Sequence, residues 1–458
     1  MDDLWTGVVA DKPTPLSDGL ILRQVSKADR RLLIELFSRV HANQDGSPNT
    51  AVGTWVADLF DRGHPTIRAD LMLVVEDSTT GRIVSSLQLI PQRWRYADVP
   101  IEVSSFELAA TDSQYRGRGL LKRMVRELSE RSVRRGDLVH AVTDILFFQD
   151  DIGVEVAITQ RAGRGGRFAD LPTTPTSWEP VTLRLAGVDD IPVLDRIDRN
   201  SQPQTLVSCW RDAKQWRHEL GGRSDASMVH DDILVIESNT GPIGYLVIGY
   251  GGIPSFPIPA WLPGVPCPEP VISVSRYELL PDVPWFDVTP TALRLLRKHY
   301  AADAGEPEGF MLWLGGEHPA YDVLGTVPVR HAPPMGWFLG VPDVPRLLKR
   351  IAPVLQRRLV GTAGQGFTGE LRLHLYRHGV RLQFTGGTVT DVRPWSESSR
   401  RASDASLPTQ MFLQLLFGNG TWTELARAFP DSRLHTRTGM TLVPLLFPRC
   451  RSNIWPLI

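Results

Sequence analysis

The residues best placed by type and spacing to do chemistry are Gln114-Tyr115-Arg116-Gly117-Arg118-Gly119-Leu120. An apolar run of strand character, Phe106-Glu107-Leu108-Ala109-Ala110-Thr111, precedes them. Leu121, Met124, Val125 and Leu128 follow, apolar at the i, i+3, i+4, i+7 spacing of one helix face. A turn between strand and helix leaves backbone N–H groups unpaired at the helix start. The helix dipole adds partial positive charge there, and Arg116 and Arg118 add full charges. Gly117 and Gly119 carry no Cβ, so a ligand can come close to the main chain. That combination suits a diphosphate. The bland alternative is a basic surface turn. It is no Walker loop, because no Gly-Lys-Ser/Thr follows, and Lys122 stands where a dinucleotide fingerprint has its third glycine.

The elements that must position this turn are legible around it. Residues 1–19, with Pro13, Pro15 and Gly19, form an arm or loop. A strand at Leu20–Val25 leads to Ser26 and Asp29, a capping pair, and to a helix with Leu32, Leu33, Leu36, Phe37 and Val40 on one face. Strands at Leu71–Glu76 and Ile83–Ile90 flank Asp77-Ser78-Thr79-Thr80-Gly81, which has hairpin composition. A second turn, Tyr96–Pro100, enters the strand that ends at Thr111. Within Phe106–Thr111 Glu107 is the one acid, and alternation puts it on the face opposite Phe106 and Leu108. Burial would raise its pKa toward that of a useful base; pairing with one of the many arginines is the alternative. His140, in a further strand at Leu138–Thr143, is a lone histidine and reads as structural.

With 458 residues, the chain suggests three domains at roughly 150 residues each. Hydrophobic residues at 42% and charged residues at 22% give an ordinary soluble balance. A formal net charge of -1 offers no global field for nucleic acid or a membrane surface. Cys209, Cys267 and Cys450 form neither a metal pattern nor a disulfide frame, which fits a reducing cytoplasm; no metal site is expected. The opening Met1-Asp2-Asp3-Leu4-Trp5 is not a signal peptide, and no stretch is long and apolar enough to span a bilayer.

From Val181 the opening pattern restarts. Val181–Ala186, Ile233–Glu237, Ile243–Ile248 and Val271–Leu280 are strands, and Thr289–Ala301 is a helix, so an internal duplication is expected. Pro281-Asp282-Val283-Pro284 replaces the glycine turn, and prolines offer no N–H to a phosphate. The loop Gly251–Pro270, with Trp261, either walls a cleft or covers the domain. After a junction at Val341–Pro345 comes a helix that Pro353 kinks or splits. Strands at Glu370–Arg377, Val380–Phe384 and Thr388–Val392 and a helix at Pro408–Leu416 complete the chain.

The turn also resembles the acetyl-CoA signature of GNAT N-acetyltransferases, Gln/Arg-x-x-Gly-x-Gly/Ala, with Gln114, Gly117 and Gly119 at its fixed positions. Ile83–Ala157, and the ending Leu445-Leu446-Phe447-Pro448-Arg449 with Ser452-Asn453-Ile454-Trp455-Pro456, resemble the multidomain bacterial acetyltransferases related to Eis. The resemblance implies an α+β protein: a GNAT domain at 1–180, a degenerate GNAT-like domain at 181–345 and a sterol-carrier-like domain at 346–458. It implies that Arg116, Gly117, Arg118, Gly119 and Leu120 hold the diphosphate of acetyl-CoA and that the backbone of Leu108, Ala109, Ala110 and Thr111 holds the pantetheine. That group places a Tyr, which protonates the leaving thiolate, where Gln149 stands here; Gln donates a hydrogen bond but not a proton. It also implies that the terminal carboxylate, here of Ile458, takes the substrate proton.

The reading is thus a cytoplasmic N-acetyltransferase acting on a primary amine of a small molecule or protein, with Ile458, Glu107 and Gln149 as catalytic candidates. Nucleic acid and membrane are not expected partners, and a homo-oligomer is. The rival reading is a non-catalytic acyl-CoA- or ligand-binding GNAT-fold protein that has lost the Tyr. A lipid carrier is a third.

Overall fold

The computed structural model describes residues 4–5, 12–143, 153–160, 163–172, 181–201, 205–249, 271–301, 307–325, 327, 330–332, 335–396, 402–452, 454–455 and 457. In the first part of the chain β1 (Thr14–Pro15), β2 (Leu20–Gln24), α1 (Arg30–Val40), α2 (Thr50–Asp61), β3 (Met72–Asp77), β4 (Arg82–Tyr96) and β5 (Val99–Thr111) lead to α3 (Leu120–Arg135), β6 (Val139–Thr143), β7 (Glu155–Gln160) and β8 (Gly163–Arg167). The second part runs β9 (Thr182–Leu185), α4 (Ile191–Ser201), β10 (Val207–Cys209), α5 (Ala213–Gly221), β11 (Asp232–Ser238), β12 (Gly241–Ile248), β13 (Val271–Leu279), α6 (Trp285–Tyr300), β14 (Gly309–Leu312), β15 (Arg330–Ala332) and β16 (Met335–Gly340). The third has α7 (Val344–Arg350), α8 (Ala352–Arg357), β17 (Gly369–His374), β18 (Gly379–Thr385), β19 (Thr388–Trp395), β20 (Ala405–Ser406), α9 (Thr409–Leu416), β21 (Arg433–Leu434) and α10 (Arg437–Leu446).

These strands make three sheets of mixed α+β architecture. The first is ordered β1-β2-β3-β4-β5-β6-β16-β7, with β10 beside the far end of β4; the second is β15-β8-β14-β13-β12-β11-β9; the third is β19-β18-β17-β20-β21. Three strands cross the divisions at 180 and 345. β10 and β16 leave the second part to join the first sheet, and β8 leaves the first to join the second. Among the described residues no helix is long and apolar enough to cross a membrane.

Local sequence explains the pieces around the turn. α1 buries Leu33, Leu36 and Phe37 and enters through a capping box made by Ser26 and Asp29. α2, absent from the sequence reading, is capped by the Asn49 side chain, which accepts from the Val52 N–H. α1 and α2 cover one face of the first sheet through Val52, Val56, Met72, Val74, Leu108 and Ala110. α3 covers the other through Met124, Val125 and Leu128 against Leu87, Leu89 and Phe106. The expected helix near Pro353 is split into α7 and α8 at Ile351.

The C-terminal segment is tied to the first sheet. The Arg451 carbonyl accepts from the Leu206 N–H (2.8 Å) and Ser452 Oγ from the Val207 N–H (3.0 Å). The Trp455 carbonyl accepts from Cys209 Sγ (3.0 Å), the Ile454 carbonyl from Trp337 Nε1 (2.9 Å), and the Leu457 carbonyl from Gln92 Nε2 (3.4 Å). Ile454 and Leu457 belong to the core shared by the first and third sheets. Ile454→Ala is therefore expected to lower unfolding free energy by about 2–5 kcal/mol in denaturant titration.

A second test concerns pH. His140 is buried, and its Nε2 meets Ser132 Oγ at 3.0 Å. Burial pushes its pKa down to about 4, Asp137 opposing and Arg135 adding to the shift. The folded value lies below the unfolded one, so this contribution is complete above about pH 6.5 and is lost as pH falls toward 4. The shift corresponds to about 3 kcal/mol. His140→Gln should flatten that part of the stability–pH curve, read by denaturant unfolding between pH 7 and 4.

Candidate functional site

The cradle starts at Asp112. Its buried carboxylate accepts from Arg39 (2.8 Å) and Arg82 (3.1 Å), and its Oδ1 caps the short turn by accepting the Gln114 N–H (3.2 Å). Tyr115 donates its hydroxyl to Asp77 (2.6 Å), and its ring lies under the Arg118 guanidinium at 4.9 Å. Arg116 is exposed, and its Nε donates to the Thr111 carbonyl (3.3 Å). Gly117 (φ 76) and Gly119 (φ 71) take left-handed conformations that favour glycine. No atom lies within 4 Å of where a Cβ would stand on either, so the hollow is open. Among the described residues, the N–H groups of Gly117, Arg118, Gly119 and Leu120 have no acceptor within the chain. Four amides and two exposed guanidinium groups at a helix start fit a diphosphate.

Beside the cradle, β5 stands apart from β6. The two pair in parallel only from Val103↔Val139 to Ser105↔Ala141, so among the described residues β5 beyond Ser105 has a free edge. Its other edge follows β4 with a bulge between Ser86↔Ala110 and Gln88↔Glu107. Leu108 is the bulged residue, at φ 49, a conformation costing a non-glycine residue about 1–2 kcal/mol. The bulge corrects the expected alternation. Phe106 packs on the α3 side and Leu108 on the α1–α2 side, so they do not share a face. The carbonyls of Ala109, Ala110 and Thr111 each accept one side-chain donor, from His41, Ser85 and Arg116.

Glu107 is half-buried and accepts from Ser105 Oγ (2.7 Å). Directly across the ladder, Gln88 is fully buried, and its side-chain oxygen has no hydrogen-bond partner among the described residues. Four residues along β4, Gln92 holds the Leu457 carbonyl. His64, buried after α2, takes the Thr66 N–H on Nδ1 (3.2 Å) and lies edge-on to His218 of α5 at 4.5 Å. Its Nε2 faces the Leu457 main chain without closing a hydrogen bond. Burial, with His218 and Arg223 adding, holds its pKa well below the usual histidine value.

Thus Glu107, Leu108–Thr111 and Arg116–Leu120 come together at one end of β5. Gln149 and Ile458 lie outside the described residues, as do Gly251–Pro270. His41, Asp112, Gln88 and Gln92 escaped the sequence reading. In Gln88-Leu89-Ile90-Pro91-Gln92 the two glutamines lie four apart on one strand face with the apolar Ile90 between them, so no polar alternation marks them.

The second sheet also has a strand–helix junction. β13 and β14 pair from Val271↔Gly309 to Val274↔Leu312 and then diverge. There the Tyr277 carbonyl accepts from His318 Nε2 (3.1 Å), and the Tyr277 ring packs edge-on to Trp285 at 4.9 Å. At the start of α6, the Val283 N–H turns back to the Leu280 carbonyl, and the Asp287 and Val288 N–H groups to Pro284.

Residues 22–143 match the acetyltransferase (GNAT) domain model. No curated protein matches the sequence. Solved structures resemble nearly the whole chain. One is a GCN5-related N-acetyltransferase from Anabaena variabilis, with TM-score 0.65 and 10% identity over 95% of this chain and 99% of that one. Another, from Kribbella flavida, has TM-score 0.63 and 14% identity over 95% and 97%. Eis1 from Mycobacterium abscessus has TM-score 0.57 and 17% identity over 94% and 99%. At these identities the likeness is one of fold.

Proposed function

Starting from an acetyltransferase (GNAT) domain over residues 22–143, we propose that this chain transfers an acetyl group from acetyl-CoA to a primary amine of a small molecule or protein. The observation that carries the reading is the set of unpartnered amides at Gly117–Leu120 beside an open glycine hollow. Arg116, Gly117, Arg118, Gly119 and Leu120 hold the diphosphate, and Leu108, Ala109, Ala110 and Thr111 hold the pantetheine along the free edge. The amine nitrogen attacks the thioester carbonyl carbon; a C–N bond forms, the C–S bond breaks, and CoA leaves as thiolate. Glu107 accepts the amine proton, or an Ile458 α-carboxylate does. Gln149 donates a hydrogen bond near the sulfur. The buried, unpartnered Gln88 oxygen supports a donor, such as an amine N–H, near Glu107.

The test is thiol release from acetyl-CoA across a panel of primary amines: polyamines, amino sugars and lysine-bearing peptides. Amine-dependent release supports the reading; silence across the panel with acetyl-CoA bound favours the rival, a non-catalytic acyl-CoA-binding protein. What favours that rival is Gln149 at the position where the resembled enzymes carry Tyr.

A further inference from the structure

We propose that His41 is a positioning residue for the acyl-CoA slot, holding the bulged end of β5 in the shape that receives pantetheine. The proposal rests on the acyl-CoA reading above and adds a residue to it. His41 caps the C-terminus of α1, its own N–H bonded to the Phe37 carbonyl, and its ring lies nearly parallel to Phe37 with centroids 5.9 Å apart. These two contacts fix the imidazole. Its Nε2 meets the Ala109 carbonyl at 3.1 Å. A carbonyl only accepts, so Nε2 carries the proton and donates.

The location gives that bond its consequence. Ala109 follows Leu108, the residue in left-handed conformation, and both lie where β5 has lost β6 as a neighbour. Among the described residues no strand pairs with the bulge on that side. Two residues earlier in α1, Arg39 donates to Asp112, the residue that opens the cradle turn. The last turn of α1 therefore grips the free end of β5 at both limits, Ala109 and Asp112. His41 governs the pantetheine half of the slot, and the Arg39–Asp112 pair the approach to the diphosphate half. His41 is also close enough to Arg116 for that charge to act on its ring, which places it beside the slot.

The experiment is calorimetric titration of two probes, CoA and its nucleotide half, 3′-phospho-ADP, which carries the diphosphate but no pantetheine. They are titrated into wild type, His41→Ala and His41→Gln. Glutamine places an N–H donor at nearly the reach of Nε2. Loss of the grip should weaken CoA binding about tenfold in His41→Ala and leave 3′-phospho-ADP within about twofold, with His41→Gln recovering most of the CoA affinity. Unchanged CoA binding in His41→Ala overturns the proposal, as does equal weakening of both probes, or His41→Gln no better than alanine. Failure of wild type to bind either probe overturns the acyl-CoA reading itself, a distinct outcome.

Discussion

Replacing Arg116 and Arg118 together by alanine weakens acetyl-CoA binding about 100-fold and leaves thermal unfolding unchanged. Each guanidinium is exposed and would meet the diphosphate through charge-assisted bonds, taken here as about 1.4 kcal/mol, or about tenfold, apiece. Neither holds the fold. Arg118 makes a 3.6 Å exposed contact with Asp18 and stacks on Tyr115, and Arg116 makes one 3.3 Å bond to Thr111. Exposed pairs of that kind contribute little to stability. Because the attraction is electrostatic, wild-type affinity should also fall as salt rises, and the double variant should have a shallower salt dependence. Calorimetric titration at two salt concentrations reads both effects. Affinity within twofold of wild type would remove the arginines from the site.

The second large effect is on turnover. Glu107→Gln keeps shape and the Ser105 contact but cannot accept a proton as a carboxylate does. Loss of a positioned base costs roughly 10²–10⁴-fold, so kcat should fall by about that factor with acetyl-CoA affinity unchanged. The measurement is steady-state thiol release at saturating acetyl-CoA, paired with calorimetry. Glu107 precedes the bulge in β5. Retained kcat in Glu107→Gln, with loss on deletion of Ile458, would move the role to the α-carboxylate of Ile458.

The strand–turn–helix order around Gln114–Leu120 was legible because glycines mark the turn and apolar residues at helical spacing follow it. The α1 face and the β3–β4 hairpin were legible for similar local reasons of spacing and turn composition. The bulge was not. Leu108 is not a residue type that announces a left-handed conformation, and the ladder with β4 imposes it. The strand exchange was also hidden. The pairing of β16 with β6 joins residues nearly two hundred positions apart, and no local pattern records it. α2 is apolar around much of its surface and contains Gly53, so only its Asn49 cap marks it. Gln88 and Gln92 share a strand face with the apolar Ile90, and both are buried. Leu457, returning from the far end of the chain to Gln92, is part of the reason.

A crystal structure of the acetyl-CoA complex puts the central claim to the most direct test. The diphosphate oxygens should lie about 3 Å from the main-chain nitrogens of Gly117, Arg118, Gly119 and Leu120, with the pantetheine running along the free edge from Thr111 to Leu108. Acetyl-CoA bound with its diphosphate away from those nitrogens would contradict the account.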